Sequence, residues 1–294
     1  MTFPHEKLIG KTQTYLPANS NDVIGKLLLQ AGKLKQSDVP KVLALQTDES
    51  LRFGEAAMRL GLVTEEDISR ALASQFDYTY LLPGEGGFSD ELVSAYFPYT
   101  QPAEKLRILR NQLISRWFGC GQKNLSVLGA NAGVGTSYVA ANLAVSFSQL
   151  GQRTLLVDAN MHAPRQHKIF RLENHVGLSN VLAGRADLSA IVPVEALVGL
   201  SILPSGTLVP NPAEIIGRSS TRKLMELLGQ NFDVVLFDTP PFNDHAEVAS
   251  LAVMTGGSLL VANRHKTRYE DVKNIRDALH GTGAQIVGSL LNRD

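Results

Sequence analysis

The chain has 294 residues, of which 44% are hydrophobic and 19% charged, so it can bury a sizeable core. Lys and Arg together number 28, and so do Asp and Glu; this balance argues against a nucleic-acid binder that relies on bulk charge. The single cysteine, Cys120, cannot form an internal disulfide. No apolar run approaches the roughly 20 residues that span a bilayer. We therefore expect a soluble, cytoplasmic protein without direct membrane insertion.

Two segments near the start of the chain repeat each other. The segment "IGKLLLQAGKLKQSDVPKVLALQ" (24–46) aligns without a gap with "FGEAAMRLGLVTEEDISRALASQ" (53–75). In each copy, apolar residues recur at helical spacing and a glycine interrupts them, which predicts a helix, a turn and a second helix. Neither copy can bury its apolar face alone, so we expect the two to pack together. They predict a small all-α domain of two tandem helix-turn-helix repeats over 20–82, after an N-terminal tail over 1–19.

This repeat resembles the N-terminal domain of type II secretion and type IV pilus assembly ATPases, some of which bind cyclic di-GMP through a tandem motif. The residues that match the motif are Ile24, Gly25, Leu28, Gln46, Arg52, Gly54 and Gln75. The first copy has Val23 where the motif has an arginine, which would stack on a guanine or pair with a phosphate. Two hypotheses therefore stay open: a cyclic di-GMP site, and a helical domain that docks another protein.

The repeat is followed by a segment rich in glycine and proline and then by an amphipathic helix. Residues 83–102 show no sustained period, which predicts a linker. The helix is predicted over 103–117, and its polar face carries Glu104, Arg107 and Arg110 at (i, i+3) spacing. By itself, this pattern is typical of a solvated charged face.

From residue 124 onward, unbroken apolar runs alternate with helical patterns. The runs are "LSVLGA", "RTLLVDA", "LSILPSG", "FDVVLFDTPP", "GSLLVAN" and "AQIVGSLLN". Strands of this kind are covered on both faces, so the alternation predicts an α/β domain over 103–294 with a mostly parallel sheet between helices. In such sheets, ligands bind at the carboxyl ends of the strands.

Three motifs follow three of these predicted strands. The first, "GANAGVGTSY" (129–138), opens a helix and predicts an anion cradle formed by Gly133, Val134, Gly135, Thr136, Ser137 and Tyr138. The motifs "LLVDANM" and "VVLFDTPP" place Asp158 and Asp238 at two further strand ends. We expect these two carboxylates to be catalytic and to ligate Mg²⁺ together with Ser137. The three motifs together predict a P-loop site for ATP or ADP with Mg²⁺.

Residues 101–294 resemble the bacterial tyrosine kinases of exopolysaccharide synthesis, of the EpsG or chain-length-determinant type. These kinases are related to MinD/ParA-like ATPases with a deviant Walker A loop. The motifs that carry the resemblance include "EKLRILRNQL", "LPSGTLVPNPAEII" and "FDVVLFDTPP". The resemblance implies a homo-oligomer held by Glu104, Arg107 and Arg110. It also implies a membrane chain-length-determinant or polysaccharide export protein as partner, which would hold the kinase at the inner membrane.

Several residues depart from the pattern of that family. Thr136 replaces the lysine of the loop, Asn160 replaces the second aspartate of the D-x-D motif, and His162 replaces the arginine after it. The C-terminal tyrosine cluster is absent from the sequence. These changes predict a nucleotide-binding regulator with weak or lost kinase activity. An active tyrosine autokinase is the alternative if Arg165 or Lys168 supplies the missing charge, and a MinD/ParA-like positioning ATPase is a second alternative.

Overall fold

The computed structural model describes residues 20–65, 67–68, 71 and 80–293. The chain divides into two compact units, Met1–Tyr78 and Thr79–Asp294, and each is described by itself. The predicted tail over 1–19 and Gln75 of the second repeat lie outside the described residues.

The first unit is helical. It contains α1 (Ser20–Gln30), α2 (Val39–Glu49) and α3 (Phe53–Arg59), and the described residues among 65–71 are helical as well. Gly32 and Gly61 follow α1 and α3 with φ of 67° and 66°, a left-handed conformation that ends a helix without strain at glycine. The apolar faces meet in one core that includes Leu28, Val42 and Phe53. The described part of this unit therefore has the predicted order of helix, glycine turn and helix.

The second unit is built on one seven-stranded sheet. The strands are β1 (Asn124–Gly129), β2 (Thr154–Asp158), β3 (Val192–Pro193), β4 (Leu200–Leu203), β5 (Val234–Asp238), β6 (Gly257–Asn263) and β7 (Gln285–Asn292). Their order in the sheet is β3-β4-β2-β5-β1-β6-β7. Neighbours run parallel except β3, which pairs antiparallel with β4. The mostly parallel sheet confirms the predicted fold class.

Helices cover both faces of this sheet. They are α4 (Val93–Tyr96), α5 (Gln101–Arg116), α6 (Thr136–Ser148), α7 (Gln166–Ile169), α8 (Leu178–Leu182), α9 (Pro212–Ile216), α10 (Ser219–Asn231), α11 (Glu247–Thr255) and α12 (Tyr269–Leu279). Successive strand residues point to opposite faces. Accordingly, Leu156 packs in one core cluster with Phe147 of α6, whereas Leu155 packs in another with Leu228 of α10. Within the described ranges, no helix combines the length and the apolar character needed to cross a bilayer.

The segment predicted as a linker, 83–102, instead packs into the second unit. Leu92 is fully buried in its core. The buried side chain of Asn142 on α6 accepts a hydrogen bond from the Ser94 amide at 2.9 Å and donates one to the Glu91 carbonyl at 2.8 Å. The linker prediction was wrong because a composition rich in glycine and proline does not prevent burial when side chains satisfy the backbone.

Candidate functional site

The loop between β1 and α6 has the backbone of an anion cradle. Gly133 and Gly135 have φ of 73° and 100°, values in the left-handed region that favours glycine. Helix α6 begins directly afterwards, at Thr136. The amide groups in the first turn of a helix have no partner within it, and they attract anions. The six residues predicted to bind nucleotide, 133–138, thus form this turn and the start of the helix.

Thr136 turns its hydroxyl back toward the end of β1. Its Oγ1 occupies space that a Cβ atom on Gly129 would need, so the side chain packs against the strand. A threonine is uncharged and several atoms shorter than a lysine. The position that carries lysine in most P-loops therefore supplies no ammonium group here.

Two side chains from distant parts of the chain contact carbonyl oxygens of the loop. The Nζ of Lys266, which lies in the segment after β6, donates to the Gly133 carbonyl at 3.0 Å. The Nδ2 of Asn292, at the end of β7, donates to the Val134 carbonyl at 3.4 Å. Sequence reasoning missed Lys266, because 133 residues separate it from Gly133 and no motif marks it. The structure thus brings a positive charge to the outside of the loop.

The two basic residues considered from sequence as substitutes for the lysine lie after β2. The Arg165 guanidinium pairs with the Glu91 carboxylate at 2.6 Å. Lys168 is exposed, in the short helix α7. The contacts of Arg165 therefore tie the loop after β2 to the segment before α4.

Asp158 and Asp238 lie side by side at the ends of β2 and β5, where they are register partners. Both are fully buried. Asp158 accepts hydrogen bonds from the amides of Asn160, Arg165 and Gln166, at 3.2, 2.9 and 2.9 Å. The Oδ2 of Asp238 accepts one from the Gln166 side chain at 2.7 Å, whereas its Oδ1 is buried without a partner among the described residues. A buried carboxylate oxygen that lacks a hydrogen-bond partner can bind a hard cation such as Mg²⁺, or a water molecule that the cation holds.

Burial raises the pKa of both carboxyls, because a charge is poorly stabilised away from water. The nearby Asp238 raises the pKa of Asp158 further. Hydrogen bonds from Gln166 and Ser137 act in the opposite direction on the pKa of Asp238. Gln166, which sequence reasoning also missed, donates to the Ser137 carbonyl as well, at 3.1 Å. The structure therefore brings together Ser137, Asp158 and Asp238, the three residues predicted to ligate Mg²⁺.

Asn160 and His162, which replace family residues, make different kinds of contact, one within its own turn and one with a distant helix. The Oδ1 of Asn160 accepts a hydrogen bond from the Ala163 amide at 2.9 Å, so the side chain closes its own turn. The Nε2 of His162 lies 2.6 Å from the Glu247 carboxylate. Neither position supplies the carboxylate or the guanidinium that the family pattern has.

The predicted charged face of α5 is divided. Arg107 donates to Glu104 at 3.0 Å and to the Pro98 carbonyl at 2.6 Å, near the surface. Arg110 is buried and donates to the Ser146 carbonyl at 2.8 Å. The prediction that all three share one exposed face was wrong for Arg110. The physical reason is that the last carbonyls of α6 have no partner within that helix, and the guanidinium satisfies one of them.

Most residues that match the cyclic di-GMP motif contribute to the core of the helical unit. Ile24 and Leu28 are buried, Gly25 lies against the ring of Phe53, and Gly54 lies against Ile68. Arg52 is exposed at the start of α3, and the Oε1 of Gln46 is buried without a hydrogen-bond partner among the described residues. Packing accounts for the apolar residues and the glycines, and it does not account for these two polar side chains.

The second unit is similar to known proteins. The ParA family, described as NUBPL iron-transfer P-loop NTPases, matches residues 122–293. The tyrosine-protein kinase YwqD of Bacillus subtilis (strain 168) is 33% identical over 195 residues, which are 66% of this chain and 82% of YwqD. The crystal structure of the chimerical protein CapA2B2 is 31% identical, with a TM-score of 0.65 over 79% of this chain and 99% of that chain.

A fold neighbour outside the kinases is MinD of Pyrococcus horikoshii OT3, whose structure was solved with Mg-ADP. It is 24% identical, with a TM-score of 0.52 over 58% of this chain and 70% of that chain, and this likeness shows the fold. One assignment follows from three observations: the glycine turn before α6, the paired carboxylates on β2 and β5, and the similarity to YwqD. The chain belongs to the bacterial tyrosine-kinase family of ParA-type P-loop NTPases.

Proposed function

We propose that this protein is a nucleotide-binding, tyrosine-kinase-like regulator of exopolysaccharide chain length and export, with weak or lost kinase activity. The observation that carries the proposal is the loop over 133–138. Its backbone has the turn of a phosphate cradle, whereas Thr136 packs its short, neutral side chain against β1. Binding through backbone amides is retained in this arrangement, and the charge that drives phosphoryl transfer is reduced.

Binding of ADP or ATP would rest on the cradle and on a magnesium ion held by Ser137, Asp158 and Asp238. Magnesium, when bound, neutralises charge on the phosphate oxygens. The chain's own contribution is to bury the two carboxylates and to hold Asp238 through the Gln166 amide. The buried Oδ1 of Asp238, which has no partner among the described residues, supports this role.

The missing ammonium group should affect catalysis more than binding. A lysine would add one or two charge-assisted hydrogen bonds to phosphate, about 1.5–3 kcal/mol each, so its loss weakens nucleotide binding about tenfold to a hundredfold or more. In phosphoryl transfer, positioning and electrostatic stabilisation supply nearly all of the rate enhancement. Asn160 carries an amide where the family pattern has a carboxylate, so this region has one negative charge fewer. The Oδ1 of this amide accepts a hydrogen bond from the Ala163 amide.

Lys266 favours the alternative function, an active tyrosine autokinase. Its ammonium group already touches the loop from the carbonyl side, at Gly133. If this lysine turned toward bound phosphates, it would restore the charge that Thr136 lacks. The two functions differ in whether phosphate is transferred.

Incubation of the purified chain with Mg²⁺ and γ-³²P-labelled ATP tests the proposal, together with calorimetry of ADP binding. We expect Mg²⁺-dependent ADP binding that Asp158→Ala abolishes, and no incorporation of label. Robust autophosphorylation of the unmodified protein would falsify the regulator proposal. Loss of that activity in Lys266→Ala would then identify the cation that replaces the lysine.

The resemblance to chain-length-determinant kinases supports a membrane chain-length-determinant or polysaccharide export protein as partner. Such a partner would hold this chain at the cytoplasmic side of the inner membrane. The same resemblance supports a homo-oligomer held by Glu104 and Arg107, whose side chains form a pair near the surface. Arg107→Glu should shift the protein to smaller species in light scattering with Mg-ATP, whereas Arg116→Glu on the same helix should not. A wild-type protein that is monomeric at high concentration would exclude this interface.

For the helical unit, we propose a cyclic di-GMP site formed around Arg52 and Gln46, with docking of a protein as the alternative. The exposed arginine and the buried Oε1 without a partner among the described residues support the nucleotide. A charge-assisted contact contributes roughly 1.5–3 kcal/mol, so Val23→Arg should tighten binding by about tenfold or more, and Arg52→Ala should weaken it. Calorimetry of the whole chain that detects no heat for wild type or Val23→Arg would leave the docking role.

A further inference from the structure

Three potential metal ligands meet beside the nucleotide site. His162 lies in the loop after β2, four residues after Asp158. His245 lies in the segment between β5 and α11, and Glu247 is the first residue of α11. One donor atom from each of the three side chains lies within 4.8 Å of the other two. The two loops that carry the buried carboxylates are therefore in contact through a separate group of side chains.

The contacts within this group are close. The Nε2 of His162 lies 2.6 Å from the Oε1 of Glu247. The imidazole rings of His162 and His245 stack with centroids 3.8 Å apart and planes inclined by 21°. The Glu247 side chain is only 4% exposed, whereas that of His162 is 34% exposed. A buried carboxylate thus faces two imidazoles, and the group is open to solvent at His162.

The contact between His162 and Glu247 involves only two of the three side chains. A divalent cation can take one donor atom from each of the three, because these atoms already lie within 4.8 Å of one another. It would also give the buried Glu247 carboxylate a positive partner.

The donor set is one that zinc binds. Zn²⁺ is held by imidazole nitrogen and carboxylate oxygen at about 2.0–2.2 Å, and a site with three protein ligands leaves the fourth position to water. Donor atoms around a tetrahedral ion at these bond lengths lie about 3.3 Å apart. The contact of 2.6 Å must therefore open slightly, and a separation of 4.8 Å would have to close by about 1.5 Å. Imidazole binds a metal through a lone pair in the plane of its ring, so one of the two stacked rings must also rotate out of the stack. The ring of His162 is partly exposed and has room for this adjustment.

We propose that His162, His245 and Glu247 form a zinc site. The ion would join the loop after β2 to the start of α11, and so would cross-link the two segments that follow Asp158 and Asp238. This proposal does not depend on whether the protein transfers phosphate.

A zinc titration of the full, tag-free chain tests the site directly. The protein is first stripped of metals with a chelator, and excess MgCl₂ is added to compete for the carboxylates of Asp158 and Asp238. Calorimetry with ZnCl₂ should then show one ion bound per chain. CoCl₂ should give the visible absorption of a tetrahedral cobalt site. Even outer-shell partners of a metal contribute about tenfold or more to affinity, so His162→Ala and His245→Ala should each weaken zinc binding by at least that factor.

His280→Ala is the matched control, because it removes an exposed imidazole at the end of α12. This variant should bind zinc as wild type does. His162→Ala removes the close partner of the buried Glu247 carboxylate, so circular dichroism of each variant is needed to verify that it is folded, and the His245→Ala variant gives a second measurement. A wild-type chain that binds no zinc would overturn the proposal. So would His162→Ala and His245→Ala variants that bind zinc as tightly as wild type.

Discussion

Binding of Mg²⁺ between Asp158 and Asp238 should release a proton. Burial raises the pKa of both carboxyls, and the presence of Asp238 raises that of Asp158 further. The pair therefore retains a proton near neutral pH, whereas Mg²⁺ requires the ionised carboxylates. Lowering the pH favours the protonated pair and opposes the metal. The affinity for Mg²⁺ should accordingly fall as the pH falls below the raised pKa, and it should be constant above that pKa.

The size of this effect follows from the number of protons released. One proton per ion changes the dissociation constant of Mg²⁺ about tenfold for each pH unit, or about 1.4 kcal/mol. Over two pH units below the raised pKa, the change is about a hundredfold. A pair of exposed aspartates, with pKa values of about 4, would be ionised throughout the neutral range and would show no such change.

Calorimetry in two buffers with different heats of ionisation measures the protons released directly. Mg²⁺ is titrated into a mixture of protein and ADP, and the proton release measured with ADP alone is subtracted. Wild type should release about one proton per ion at neutral pH. Asp158→Asn serves as the control: without this carboxylate, Mg²⁺ binding should be lost, and with it the proton release beyond that of ADP.

An affinity for Mg²⁺ that stays constant across the neutral range, with no proton release beyond that of ADP, would refute the reasoning. It would mean that the two carboxyls are already ionised in the folded protein. The three amide hydrogen bonds to Asp158 would then outweigh burial.

Three further substitutions test other parts of the structure. Thr136→Lys should tighten Mg-ADP binding about tenfold or more in calorimetry, and ATP hydrolysis should return only in combination with Asn160→Asp; an inactive double variant would contradict this. Asn142→Ala removes three hydrogen bonds of a buried amide and should lower the free energy of unfolding by about 2–4 kcal/mol in urea. The exposed Asn231→Ala should change it by less than about 0.5 kcal/mol, and equal effects would count against the packing described for 83–102. Gly257→Ala would place a methyl group against a buried indole ring and should cost about 1–3 kcal/mol in thermal unfolding, unless the start of β6 can shift.

Most of the sheet was predictable because its central strands are apolar on both faces. The run "VVLFD" is buried at every position, and it reads as a strand without any knowledge of its neighbours. The strand β3 was not predictable, because it has two residues and one of them is a proline without an amide hydrogen. The role of 83–102 was hidden for a different reason. Its burial depends on Asn142, a polar residue within a helix whose sequence pattern does not indicate a partner.

The candidate site shows the same division between local and distant contacts. The cradle and the positions of Asp158 and Asp238 follow from short motifs next to predicted strands, so sequence alone places them at one edge of the sheet. Gln166 and Lys266 belong to no motif. Their side chains act through contacts with residues far away in the chain: Gln166 contacts Asp238 and Ser137, and Lys266 contacts Gly133. Only the folded chain brings such pairs together.

The contact between Arg110 and the Ser146 carbonyl has an electrostatic consequence for the cradle. The aligned peptide dipoles of α6 leave partial positive charge at Thr136 and partial negative charge near Ser148. Arg110 places a permanent positive charge at the negative end, about 20 Å from the phosphate-binding end of this 13-residue helix. A bound phosphate would then place negative charge at the positive end of α6, and the Arg110 guanidinium places positive charge at its negative end. A substitution at Arg110 thus changes the helix that presents the cradle, so it cannot serve as a test of subunit contacts alone.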